Sequence, residues 1–183
     1  MKHRFLSLTF ALFFTALIIS CNSNNSKEKK SIPMQHEMHA EDTSIDDKVQ
    51  NSEELAFNDQ KIEAIFQNYI DVKDALVKSD TDAAQEAANK LSESLNENRE
   101  AVEYADKIAG SSDIEAQRRA FSKLTEPLES LLNGTISTGV VYKDYCPMAF
   151  NEGAYWLSTD QEIKNPFYGD KMLTCGSVKS EIK

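Results

Sequence analysis

Between residues 59 and 132 apolar side chains recur every three to four positions in four successive stretches, a period that leaves few folds open to the chain. Ile62, Ile65, Phe66, Tyr69, Ile70, Leu76 and Val77 share one face of a helix expected from Asp59 to Lys78. Ser79-Asp80-Thr81-Asp82 then breaks that helix and caps the next. The second stretch carries a stripe of mostly small residues, Ala84, Ala87, Ala88, Leu91 and Leu95, which permits close approach of a neighbour. The third is shorter, with Val102, Ala105, Ile108 and Ala109 ahead of Gly110. Ser112-Asp113-Ile114-Glu115 has the capping-box pattern, Ser112 at the N-cap and Glu115 at N3. It opens a fourth helix with Ile114, Phe121, Leu124, Leu128, Leu131 and Leu132 inward, stopped by Asn133-Gly134. Pro127 lies inside that pattern and predicts a kink or split near Thr125. No polar or ionisable residue is expected inward, so the four stripes bury one another as a scaffold over residues 58–134.

After Gly139 the helical period is lost, and seven aromatic residues crowd the stretch from Tyr142 to Tyr168 among Gly, Pro and Asn. Val140-Val141-Tyr142 reads as one short strand. The remainder of 135–177 reads as an ordered loop-rich flap laid on the bundle, with a tail at 178–183. The expected fold class is all-α: an up-down four-helix bundle with a loop-rich aromatic C-terminal flap.

The first twenty residues read as an export address. Lys2, His3 and Arg4 precede an apolar run, Phe5 to Ile19, that is short for a membrane span. It ends in Ile18-Ile19-Ser20-Cys21, which resembles the lipobox of bacterial lipoproteins; that resemblance implies cleavage before Cys21 and acylation of its thiol. Each buried methylene of such a chain contributes about 0.8 kcal/mol to membrane anchoring. Asn22 next to it implies, by the same resemblance, the outer membrane facing the periplasm. Residues 21–57 form a polar tether with a reach of roughly 30–35 Å. With Lys2 and Arg4 removed and no acid lost, the formal charge moves from −10 to −12. So acidic a chain is a poor partner for nucleic acid.

Outside that signal, every methionine, every histidine and every cysteine other than Cys21 falls in two places. Met34, His36, Met38 and His39 cluster on the tether; Cys146-Pro147-Met148 and Met172-Leu173-Thr174-Cys175 lie near the C-terminus. Methionine is an ordinary core gap-filler, so its absence from the bundle marks those clusters. Thiolate, thioether and imidazole are also the ligands that soft metals select.

Tyr145-Cys146-Pro147-Met148-Ala149, Gly153-Ala154-Tyr155-Trp156-Leu157-Ser158, Ile163-Lys164-Asn165-Pro166-Phe167-Tyr168-Gly169 and Lys171-Met172-Leu173-Thr174-Cys175-Gly176 resemble the C-terminal signature of the domain of unknown function 3347 family. The helical body, including Asp71-Val72-Lys73-Asp74-Ala75-Leu76-Val77, is similar too, so the resemblance spans roughly residues 58 to 177. Members occur as small envelope proteins and as extensions of heavy-metal efflux adaptor subunits. That company implies copper or silver handling, an adaptor partner, and Cys146, Met148, Met172 and Cys175 as shared positions.

Two readings follow. In the first, Cys146, Met148, Met172 and Cys175 form one S4 set for Cu(I) or Ag(I), with Met34, His36, Met38 and His39 as a weak capture site. The chain is then a membrane-anchored lipoprotein that buffers soft metal or donates it to efflux. In the second, Cys146 and Cys175 pair as a disulfide, worth roughly 3–4 kcal/mol. The flap then belongs to a structural or interaction module, its methionines packed on aromatics for about 0.3–1.5 kcal/mol per contact. An enzyme is not expected. There is no Cys-x-x-Cys, no histidine near either thiol in sequence, no Gly-rich phosphate loop and no His-Glu-x-x-His.

Overall fold

A computed structural model describes residues 54–95 and 98–183. Among them helices α1 (Gln60–Val77), α2 (Thr81–Leu95), α3 (Arg99–Ala109) and α4 (Ile114–Leu132) follow the four periodic stretches. Consecutive helices pack on one another, and α1 also meets α4. Each start is a side-chain cap satisfying an orphan amide. Asp59 accepts from Lys61 N at 2.8 Å, Asp80 from Ala83 N at 2.9 Å and Asn98 from Ala101 N at 3.1 Å. For α4 the cap is Asp113, which accepts from Glu115 N at 3.0 Å, rather than Ser112. Glu115 is thereby N2, and the expected capping box does not form; Ser111 Oγ instead takes the Asp113 amide at 3.1 Å. α4 runs unbroken through Pro127, without the expected split. The carbonyl that Pro127 cannot bond belongs to exposed Lys123, where water can replace the missing donor.

The predicted stripes supply most of the helical core, with Ile62, Val77, Val102, Ala109, Ile114 and Leu131 only half-buried at its margin. Phe66, Leu76, Leu91, Phe121, Leu124, Leu128 and Leu132 are all at most 2% exposed, and each such side chain contributes about 1.5–3 kcal/mol by leaving water. The expectation of a wholly apolar interior is corrected, however. Lys73, Gln117, Arg118 and Thr125 are buried within the helices.

The all-α expectation is corrected as well. The described C-terminal region contains strands β2 (Ile136–Thr138), β3 (Val141–Cys146), β4 (Ala154–Ser158) and β5 (Ser177–Ile182), and β1 (Ala56–Phe57) precedes α1. β1 pairs antiparallel with β2, so two residues assigned to the tether belong to the folded part. β3, β4 and β5 form an antiparallel sheet in the order β4-β3-β5, and the expected tail is its third strand. These strands lack a clean alternation for physical reasons. β4 is buried at four of its five positions because it lies against the bundle. The β3–β5 ladder slips at Lys143/Asp144, where β5 passes Lys179 unpaired.

β4 is an edge strand whose outward groups are satisfied by bundle hydroxyls. Leu157 N donates to the Tyr69 hydroxyl at 3.0 Å, and Thr125 Oγ1 donates to Tyr155 O at 3.0 Å. Tyr69 and Thr125 are themselves 3.2 Å apart, which leaves the phenol as donor between them. Burial pushes the Tyr69 hydroxyl well above its ordinary value, so it keeps that proton.

Arg118 ties the loop after β4 to the helices. Its Nε donates to Pro166 O at 2.9 Å, and Nη2 donates to Leu76 O at 3.1 Å and Ser79 Oγ at 2.9 Å. Gly169 closes over this junction at φ +56°, where a β-carbon would lie 2.7 Å from Ser79 Oγ and Val77 O. Arg118→Met keeps much of the volume and removes every donor, stranding buried carbonyls. It should cost about 3 kcal/mol or more, read as a lower urea midpoint at unchanged slope.

Candidate thiol and metal site

The antiparallel pairing of β3 with β5, Tyr145 opposite Ser177, carries Cys146 and the segment before β5 to the same end of the sheet. The sulfurs of Cys146 and Cys175, 29 positions apart in sequence, lie 3.5 Å from each other. Both are free thiols; Cys146 is fully buried and Cys175 half-buried. A covalent bond needs the sulfurs about 1.5 Å closer. The hydrogen bond it shares with Cys146, which favours its protonated form, and, secondarily, burial hold the Cys175 thiol above its ordinary value. A thiol kept protonated is a poor attacking group for disulfide exchange, whereas a bound soft cation or disulfide formation displaces the proton.

The methionines are placed differently. Met172 is half-buried, and its carbonyl accepts from Cys175 N at 3.0 Å, so the two residues close one turn. Met148 is 54% exposed, in a shallow surface depression with Phe150 and Tyr168. The structure thus brings together two of the four expected sulfurs as a contacting pair. Two thiolates suit the low coordination that Cu(I) and Ag(I) accept; Zn(II) asks for four ligands. Among the described residues no group of three or more His, Cys, Asp or Glu is placed to hold a metal ion. Met34, His36, Met38, His39 and Cys21 lie outside the described residues. No helix among the described residues is long and apolar enough to cross a membrane.

Two residues before Cys146 on β3 lies Asp144, fully buried and opposite Trp156 on β4. Neither Asp144 oxygen nor Trp156 Nε1 has a hydrogen-bond partner among the described residues. Lys73, 1% exposed, brings its charge towards Asp144 while its ammonium pairs with Asp74 at 2.8 Å. Desolvation raises the Asp144 carboxyl from 3.8 to about 6, and Lys73 only partly opposes it.

The family model described as protein of unknown function (DUF3347) matches residues 65–138. This stretch belongs to the DUF3347 family. The match covers most of the four helices and β2 and ends before Cys146, so the four sulfur residues lie beyond it, and of the wider resemblance over 58–177 it reaches only the first part. No curated protein and no solved structure matches the chain.

Sequence reasoning passed over Lys73, Arg118, Thr125 and Asp144. The signal was present in position rather than type. Lys73 stands four residues after Tyr69 and three before Leu76; Gln117 and Arg118 fill the stripe between Ile114 and Phe121. A polar residue on such a stripe marks a docking point for something outside the helix. The Asp144 environment has a measurable sign. Its folded value exceeds the unfolded one, so its stabilising effect is complete below about pH 4 and disappears as pH rises through about 6. Urea midpoints across that range should show Asp144→Asn lacking a fall present in wild type, on the order of 3 kcal/mol.

Proposed function

We propose that the chain is a lipid-anchored module of the bacterial envelope that takes up soft monovalent metal, Cu(I) or Ag(I), through its C-terminal dithiol. The observation that carries this reading is the 3.5 Å approach of Cys146 and Cys175, one buried and one reachable from solvent. The two thiolates are the core of the site, with Met172 and Met148 as auxiliary sulfurs. The bundle, of up-down topology, is its scaffold. Met34, His36, Met38 and His39 on the tether form a weaker capture site, and acylated Cys21 holds the protein to the outer membrane. The metal is buffered there or handed to an efflux adaptor subunit.

The same sulfur contact favours a second reading, a structural or interaction module whose sheet is closed by a Cys146–Cys175 disulfide, since exported thiols tend to pair. Two measurements separate the readings. Under anaerobic, reducing conditions, Cu(I) titration of the full chain in mild detergent against a competing chelator should find one ion lost in both Cys146→Ser and Cys175→Ser. Met148→Ala combined with Met172→Ala should retain that ion with affinity lowered about tenfold, some 1.4 kcal/mol. An unchanged ion count in the serine variants removes the folded metal site. Thiol counting on protein taken from the envelope without reductant then gives the disulfide fraction.

A further inference from the structure

We infer that Asn165 is the positioning residue of the dithiol, setting where Cys175 sits against Cys146. The inference rests on the reading of that pair as the working site. Asparagine is mostly a surface residue, yet Asn165 is fully buried and makes hydrogen bonds in four directions. Its Nδ2 donates to Cys175 O at 2.7 Å, and its Oδ1 accepts from Phe167 N at 2.8 Å. Its backbone N donates to Leu173 O at 2.8 Å, and its backbone O accepts from Gly169 N at 3.1 Å. One residue therefore spans both ends of the loop that returns the chain to β5. The next residue, Pro166, is held by Arg118. Cys146 is fixed by the β3–β4 ladder. Cys175 precedes its strand, and its carbonyl is held through the Asn165 amide. The clamp acts on a peptide and never on a sulfur, so it governs the geometry of the pair and takes no part in its chemistry.

Asn165→Asp separates this role from general packing. The variant keeps the acceptor for Phe167 N and turns the group facing the Cys175 carbonyl from donor to acceptor. Two constants are measured on the full chain in mild detergent. One is the equilibrium of the Cys146–Cys175 pair with reduced and oxidised glutathione, read by mass after alkylation; the other is Cu(I) affinity against a competing chelator. Asn165→Asp should lower the disulfide-forming constant about tenfold or more, which is about 30 mV for this two-electron couple, and weaken Cu(I) binding by a similar factor. Leu91→Ala, a core truncation on α2, should leave the glutathione constant within about twofold of wild type. A glutathione constant unmoved by Asn165→Asp, or moved as much by Leu91→Ala, overturns the inference. A constant that moves in Asn165→Asp while wild type takes up no Cu(I) upholds the clamp and removes the metal reading. If Asn165→Asp does not fold, wild type decides. The Asn165 side-chain amide resonances must then differ between dithiol and disulfide forms, and identical resonances overturn the inference.

Discussion

Arg118 reaches from α4 into a junction where the end of α1, the turn after it and the loop carrying Pro166 all present oxygen atoms to its guanidinium. Burying that charge is costly unless its donors are satisfied. Here they meet the C-terminal carbonyl end of a helix, where the backbone dipole favours a cation. A lysine at this position would offer one compact ammonium instead of a planar fork able to reach three segments at once. The junction is why the region after β2 is an ordered sheet and loop rather than a loose appendage. It is also the route by which the position of Cys175 is referred back to the bundle.

The other buried polar residues of the helices act in the same direction. Tyr69 and Thr125 satisfy the outer edge of β4, which would otherwise present unpaired backbone groups. Lys73 turns a positive charge towards Asp144 at the centre of β3. The polar interior positions of α1 and α4 are therefore docking points for the sheet. Helices and sheet share one core, with Phe167 meeting both Phe121 of α4 and Trp156 of β4 ring to ring.

Helix positions and their apolar stripes were legible in the sequence because each is a local property repeated along the chain, whereas the α4 cap fell on Asp113 rather than Ser112. The small-residue stripe of α2 and the stop at Asn133-Gly134 need nothing beyond their neighbours to be read. Of the strands only the start of β3 was legible, as Val140-Val141-Tyr142; β4 lacks alternation because four of its five positions are buried, and β5 pairs only after a long excursion of the chain. The thiols could be named from residue type alone. That they meet follows from the β3–β5 register, which no local pattern encodes. Asn165 and Arg118 escaped notice because one sits in a loop and the other, although on the apolar stripe of α4, meets its partner in that loop only once the chain is folded.

A single indole, that of Trp156, is fully buried in the sheet. A β-carbon added at Gly176, the residue after Cys175, would lie only 2.8 Å from its Cη2 atom. The lone tryptophan of the chain therefore packs against the residue that follows the cysteine with the more accessible sulfur. Its emission is a native gauge of that spot, readable without label or tag.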